Sequence, residues 1–170
     1  RMGANMARRL MNAGHRCVAY DVAPAAVKAL AAEGAVAAAS FADLVERLPG
    51  PRVLWMMVPA AVVDTTLAEL TPHLRPGDVV VDGGNSFYQD DQRRAAGLAA
   101  RGVHFVDVGT SGGVWGLERG YCLVIGGEAE VVSRLTPLFD ALAPGEAAPS
   151  PTPERDDRKS TAHKGSLHCR

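Results

Sequence analysis

Three predominantly apolar runs, separated by stretches with helical periodicity, constrain most strongly how this chain can fold. They cover residues 53–58, 79–81 and 103–108. Parallel strands that are covered by helices on both faces read as such runs. Strands and helices that alternate with short connections give a parallel sheet with right-handed crossovers. The sequence therefore predicts the α/β class, with a doubly wound parallel sheet that resembles a Rossmann fold.

The 170 residues suit one domain followed by a tail. The α/β pattern continues to about Leu142, and we take residues 1–143 as one dinucleotide-binding domain. From Pro144 onward, several prolines precede a charged run from Glu154 to Lys159. That composition is typical of linkers, so residues 144–170 are predicted to be a linker or a disordered tail.

Charge and composition exclude several classes of function. The formal net charge is -1, which gives no electrostatic basis for binding nucleic acid. No apolar run is long enough to span a membrane, and no signal peptide is visible. Cys17, Cys122 and Cys169 are widely spaced, which favours reduced thiols in a cytoplasmic protein over disulfides or a metal site.

The beginning of the chain matches the second half of a dinucleotide-binding motif. That motif needs a strand and then G-x-G-x-x-G at the start of a helix. Here Gly3 directly precedes a helical stretch and fits the third glycine, so the first strand and the first two glycines are expected upstream. Asp21 follows the next strand, where a carboxylate can accept hydrogen bonds from the ribose hydroxyls of NAD and repel the 2′-phosphate of NADP. A simple helix entry before Pro24 is the alternative interpretation of Asp21.

Three further strand ends carry small or polar residues. Val58-Pro59-Ala60 lets backbone lie close to a planar ligand, although this turn taken alone favours a plain helix entry. Asn85 follows two glycines and offers both a donor and an acceptor, while Ser86 is predicted to cap the next helix. The Ser111-Gly112-Gly113 turn offers a hydroxyl and open N–H groups to an anion, or is simply a flexible turn.

Taken in order, these residues resemble the 6-phosphogluconate dehydrogenase (decarboxylating) family, in its short bacterial, NAD-preferring branch. The resemblance covers Arg1 to about Leu142 and rests on RMGANM, on Tyr20-Asp21, on DGGNS at 82–86 and on SGG at 111–113. It implies oxidative decarboxylation of 6-phosphogluconate to ribulose 5-phosphate with NAD(P), in the pentose phosphate pathway. It also implies a small phosphorylated sugar acid as ligand and a homo-oligomer for the complete enzyme.

The resemblance assigns roles to individual positions. Substrate would contact Asn85, Ser111, Gly112 and Gly113. The cofactor would contact Arg1, Met2, Gly3, Asp21, Val22, Ala23, Val58, Pro59, Ala60 and Asn85. NADP-using members carry Asn-Arg where this chain has Asp21-Val22, so NAD is the expected cofactor and NADP the second choice.

No catalytic residue is assigned within the 170 residues. The family's Lys base and Glu acid lie on a helix past the nucleotide domain, in the helical C-terminal domain, and both are expected beyond Arg170. Lys164 precedes that helix in the family order and is not the base. The sequence thus predicts an N-terminal fragment without turnover. The alternatives are another β-hydroxyacid dehydrogenase, such as a hydroxyisobutyrate dehydrogenase, and a non-catalytic nucleotide-binding remnant.

Overall fold

The computed structural model describes residues 2–145 and 160–169. Helices and strands alternate along most of the chain, joined by short connections. The helices are α1 (Met2–Asn12), α2 (Pro24–Ala32), α3 (Phe41–Glu46), α4 (Val63–Leu70), α5 (Tyr88–Ala99), α6 (Gly116–Arg119) and α7 (Ala129–Leu142). The strands are β1 (Val18–Ala19), β2 (Val36–Ala37), β3 (Val53–Met56), β4 (Val79–Asp82), β5 (His104–Ser111), β6 (Cys122–Gly126) and β7 (Ser166–Cys169).

A five-stranded sheet in the order β3-β4-β5-β6-β7 forms the centre of the molecule. Strands β3, β4 and β5 run parallel, with Met56 level with Asp82 and Asp82 level with Asp107. Successive β4 residues contribute to separate cores on opposite faces. Val79 and Val81 belong to the core formed with α1 and α7, whereas Val80 belongs to the core formed with α3, α4 and α5. Because helices cover both faces, the predicted doubly wound α/β architecture is confirmed.

Strands β1 and β2 form a separate two-stranded parallel sheet. Val18 pairs with Val36, and Ala19 with Ala37. Within the described residues, β1 has no hydrogen-bonded neighbour on its other side, and neither has β3. In the strand order 3-2-1-4-5-6 of a Rossmann sheet, the first strand, which the sequence motif leads us to expect upstream, lies between these two strands.

The last part of the sheet differs from the sequence prediction. Strand β6 is antiparallel to β5, with Ser111 opposite Cys122. Only residues 112–121 separate the two strands, and such a connection is too short for the usual crossover between parallel strands. Strand β7 then pairs in parallel with β6, so residues 166–169 belong to the sheet rather than to a linker or disordered tail. The reason is that β6 would otherwise present an unpaired edge, and the Leu123 N–H donates to the Gly165 carbonyl at 2.8 Å just before β7 begins. The charged run from 154 to 159 lies outside the described residues.

None of the helices in the described part of the chain is long and apolar enough to cross a membrane.

Candidate functional site

The ends of β3 and β4 lie side by side and form one wall. Strand pairing sets Met56 level with Asp82, and the Gly83 N–H donates to the Met56 carbonyl at 3.0 Å. A Cβ added to Gly84 would lie 3.1 Å from the Val58 carbonyl oxygen. The turn that carries Asn85 is therefore in contact with the Val58-Pro59-Ala60 turn, as expected for two turns that share a ligand.

The first turn of α1 packs against the same wall. A Cβ added to Gly3 would come within 3.1 Å of the Met57 Cβ atom. Glycine at this position lets the helix start close to the sheet, which is the role of the third glycine in a dinucleotide motif. The structure thus brings together Gly3, Val58 and the Gly84–Asn85 turn. Arg1 lies outside the described residues, while Met2 occupies the first position of α1.

Gly83 is buried, and no other residue fits in its place. A Cβ at this position would lie 2.1 Å from the Trp55 Nε1 atom and 2.7 Å from the Met57 Sδ atom. The indole N–H itself points to the Met57 sulfur at 3.3 Å. The edge of Trp55 also packs against the Phe139 ring, with centroids 6.1 Å apart. Close packing therefore requires glycine here, beneath the turn that carries Asn85.

The Asp82 carboxylate holds both ends of this turn. Its Oδ1 atom accepts from the Gly84 N–H at 2.9 Å, and its Oδ2 atom accepts from the Ser86 hydroxyl at 2.7 Å. The prediction that Ser86 caps the next helix is wrong, because α5 begins at Tyr88 and its first turn has no side-chain cap. Sequence spacing suggested the cap, but the buried carboxylate of Asp82 competes for the serine hydroxyl. Asn85 makes no such bond and is exposed.

Arg94 compensates the negative charge behind the turn. Its guanidinium is buried, and Nη1 lies 3.9 Å from Asp82 Oδ2 while donating to Asp91 Oδ1 at 2.8 Å. Its Nε donates to Asp64 Oδ1 on α4 at 2.8 Å. Burial acts to lower the pKa of Arg94, but the hydrogen bonds to Asp64 and Asp91 outweigh it and raise that pKa above its ordinary value. Asp91 Oδ2 is buried without a hydrogen-bond partner among the described residues.

Asp107 adds a third carboxyl to this face of the sheet. It lies level with Asp82 on the neighbouring strand, so the two side chains share the face covered by α5. Burial, together with the neighbouring charges of Asp91 and Asp82, raises the pKa of Asp107 to about 6. No sequence motif predicted this cluster. The visible signal was an acidic residue at the end of the run at 79–81 and another inside the run at 103–108.

The Ser111-Gly112-Gly113 turn lies at the end of the adjacent strand but further out. β5 continues for four residues past Asp107, which places Ser111 about 13 Å beyond the level of the β4 end. A Cβ added to Gly112 would lie 2.8 Å from the Tyr121 ring, and Gly113 has a left-handed φ of 52°. All three turn residues are exposed. The two strand ends are therefore staggered at the same edge of the sheet.

Trp115 follows this turn and leaves an apolar rim next to it. Its indole is 58% exposed, and the Arg119 guanidinium lies 5.2 Å from its ring centroid. Val114 beside it is 65% exposed. Surface of this kind is typical of a rim that another part of a protein or a ligand covers.

Asp21 lies after β1, as the sequence predicts, and is exposed. Its Oδ1 atom accepts from the Ala23 N–H at 2.8 Å, which fixes the turn before α2. One carboxylate oxygen is used in this local bond, so the helix-entry interpretation describes part of its role. The acceptor capacity that remains is compatible with ribose hydroxyls, because an ionised carboxylate has about four acceptor sites. Val22 next to it is 90% exposed.

These features fit a dinucleotide. Glycine at positions 3 and 84 lets the start of α1 and the Gly84–Asn85 turn approach Met57 and Val58 closely, so three backbone segments converge at this edge of the sheet. The carboxyl ends of parallel strands are where α/β sheets bind ligands. The fold and the site therefore define an α/β dinucleotide-binding domain.

Comparison with protein families specifies this class further. Residues 1–149 match the model of the NAD binding domain of 6-phosphogluconate dehydrogenase. The chain belongs to this family, and the family is one of NAD(P)-dependent oxidoreductases. The resemblance inferred from the sequence motifs is confirmed.

Relatives of known name agree with this family. The NAD(+)-dependent, decarboxylating 6-phosphogluconate dehydrogenase of Haloferax volcanii is 48% identical over 146 residues, which cover 85% of this chain and 48% of that protein. The chain thus spans about half the length of this relative.

Solved structures share the fold. 3-Hydroxyisobutyrate dehydrogenase from Salmonella typhimurium superposes with a TM-score of 0.73 at 30% identity, over 83% of this chain and 50% of that one. The Mycobacterium tuberculosis 3-hydroxyisobutyrate dehydrogenase reaches 0.80 at 24% identity, over 99% of this chain and 50% of that one, which shows the fold alone.

Proposed function

We propose that this chain is the cofactor-binding and substrate-facing half of a decarboxylating 6-phosphogluconate dehydrogenase. The observation that carries the proposal is the contact between the Gly84–Asn85 turn and the Val58 carbonyl. This contact gives the nicotinamide and the sugar acid a common wall, and Asn85 stands exposed at its end. When bound there, NAD would supply the hydride acceptor for oxidation at C3 of the substrate.

The roles of the chain's own residues follow from their chemistry. Asn85 holds a substrate hydroxyl next to the nicotinamide, because its amide both donates and accepts. Ser111, Gly112 and Gly113 bind the substrate's anionic group through a hydroxyl and exposed N–H groups. Gly3 and Val58 to Ala60 line the cofactor. The 170 residues bind both ligands without turnover, because the resemblance places the Lys base and Glu acid outside the matched motifs.

Direct titration tests this function. Purified chain is titrated with 6-phosphogluconate in the presence of NADH, and binding is followed by calorimetry. We expect saturable binding that Asn85→Ala weakens about tenfold, the effect of losing a hydrogen bond to a charged or polar ligand. Gln92→Ala, an exposed amide on α5, serves as the matched control. The proposal is wrong if 6-phosphogluconate does not bind, and its inactivity clause is wrong if NADH accumulates when NAD is supplied.

NAD is the proposed cofactor because Asp21 would repel a 2′-phosphate. Affinities for NADH and NADPH are compared by quenching of protein fluorescence. We expect NADH to bind at least tenfold more tightly, and Asp21→Ser to bring the two affinities within about threefold. Asp140→Ser removes an exposed carboxylate on α7 and should leave the ratio unchanged. Equal affinities in the parent chain would overturn this preference.

A hydroxyisobutyrate dehydrogenase is the second candidate, since the solved structures of that name share the fold. The DGGNS motif at 82–86, which contains Asn85, is one of the motifs on which the resemblance to 6-phosphogluconate dehydrogenase rests, so it favours the first candidate. Competition for the site between 3-hydroxyisobutyrate and 6-phosphogluconate separates the two. Tighter binding of the unphosphorylated acid would favour this candidate.

A further inference from the structure

We propose that Asp82 is a positioning residue that sets the orientation of Asn85 toward substrate, with Arg94 as the counter-charge that keeps Asp82 in place. The inference rests on the proposed function and concerns residues that would not contact either ligand. Asp82 is fully buried at the end of β4. Its two oxygens bond Gly84 and Ser86, the residues on either side of Asn85.

Two bonds to one carboxylate restrict the turn more than either bond alone. Asn85 lies between two residues that are fixed to the same rigid group, so its backbone cannot rotate without breaking one of the bonds. Hydrogen bonds to an ionised acceptor are about twice as strong as neutral ones. A glycine pair would otherwise leave this turn with high conformational freedom. Asp82 thus offsets the flexibility that Gly83 and Gly84 introduce.

Arg94 ties this arrangement to the rest of the site. A buried carboxylate is costly unless a cation and further hydrogen bonds compensate it. Arg94 is 3.9 Å from Asp82 and bonds both Asp91 and Asp64. Asp64 lies in the first turn of α4, just after the Val58-Pro59-Ala60 turn. One guanidinium therefore joins the helices that follow the two turns of the shared wall.

Substitutions at Asp82 and Ser86 test the positioning role. Asp82→Asn keeps the size and one acceptor for Gly84, whereas Asp82→Ala removes both bonds. Ser86→Ala removes only the second bond and leaves the buried charges paired, so it should fold even if Asp82→Ala does not. Asp90→Asn changes the same charge on a half-exposed side chain of α5 and is the matched control.

Two measurements are made on each variant. The first is the Kd for 6-phosphogluconate relative to that for NADH. We expect Asp82→Ala to raise the Kd for 6-phosphogluconate at least tenfold and the Kd for NADH less than threefold. Ser86→Ala should raise the Kd for 6-phosphogluconate by an intermediate amount. That Kd should stay within about threefold of the parent value in Asp82→Asn and be unchanged in Asp90→Asn. The second is exchange of the Gly84 amide hydrogen by NMR, which should be at least tenfold faster in Asp82→Ala than in Asp82→Asn.

The outcomes distinguish a positioning role of Asp82 from a general structural one. Equal losses of affinity for both ligands, or failure of Asp82→Asn to recover binding, would overturn the positioning role in favour of a general structural one. An unchanged Gly84 amide in Asp82→Ala and Ser86→Ala would overturn it as well. If the parent chain binds no 6-phosphogluconate, the proposed function fails, and amide exchange alone then decides whether Asp82 orders the turn.

Discussion

Gly83 offers a severe test of how tightly the wall of the site is packed. In Gly83→Ala the new Cβ would lie 2.1 Å from Trp55 Nε1 and 2.7 Å from Met57 Sδ. The methionine sulfur can move, but the indole is held against Phe139. Overpacking of a core costs typically 1–3 kcal/mol. Because a rigid ring opposes the new methyl group, we expect a loss at the upper end, about 3 kcal/mol, or roughly 6–12 °C in Tm for a chain of this size.

Urea denaturation followed by tryptophan fluorescence and circular dichroism measures this loss. Gly97→Ala is the matched control, since a Cβ on this glycine of α5 meets no atom within 4 Å. It should stabilise the chain by about 0.5–1 kcal/mol through helix propensity. Trp55→Phe removes the opposing N–H, so Gly83→Ala should cost at least 1 kcal/mol less in that background, roughly the coupling seen between contacting residues. A loss below about 0.5 kcal/mol for Gly83→Ala, or no coupling to Trp55, would refute the packing argument.

Three further perturbations address other parts of the molecule. The pKa of Asp107 is raised to about 6, so its contribution to stability is complete below its unfolded pKa and is lost as the pH rises through about 6. Asp107→Asn should therefore raise the free energy of unfolding by about 1 kcal/mol at about pH 7 and leave it unchanged near pH 4. The figure of about 1 kcal/mol is smaller than the full pKa shift implies, because solvent screens the partly exposed carboxyl. A gain of equal size at both pH values in urea titrations would contradict this sign. The Tyr121 hydroxyl is buried without a hydrogen-bond partner among residues 2–145 and 160–169, so Tyr121→Phe should stabilise the chain by about 1 kcal/mol in thermal melts. A destabilised Tyr121→Phe variant would show that the hydroxyl does have a partner. Ser40 accepts from the Asp43 N–H at 3.1 Å, so Ser40→Ala should cost about 1 kcal/mol, whereas Ser133→Ala within α7 should be nearly neutral by the same assay.

The architecture of the sheet could be predicted because burial on both faces leaves a direct trace in the sequence. The runs at 53–58 and 79–81 are apolar at consecutive positions, and the structure places them in the neighbouring parallel strands β3 and β4, which helices cover on both faces. Ser40 and Asp43 have capping-box spacing in the sequence, which predicts a helix start there, and the structure confirms this cap. The cap at Ser86 has the same spacing and is wrong, since spacing contains no information about a buried carboxylate that competes for the hydroxyl.

Residues distant in sequence account for what could not be predicted. Strand β7 consists of Ser166, Leu167, His168 and Cys169, which has little strand character by itself. Its pairing with β6 is set by tertiary contact, because β6 offers a free edge. The Arg94 cluster likewise unites side chains of α4, α5 and β4, and no local pattern indicates that they meet. The roles of Asn85, Asp21 and the Ser111 turn in binding stay predictions.

The pairing of β6 with β7 also affects how the protein is made. Leu123 lies opposite Ser166, so the partner strand of β6 leaves the ribosome only after the rest of the sheet has been synthesised. Until then the nascent chain presents an outer strand edge with unpaired backbone groups, on which Val124 is already exposed. Edges of this kind are templates for association between chains. The sheet is therefore complete only once residues 166–169 have emerged and paired with β6.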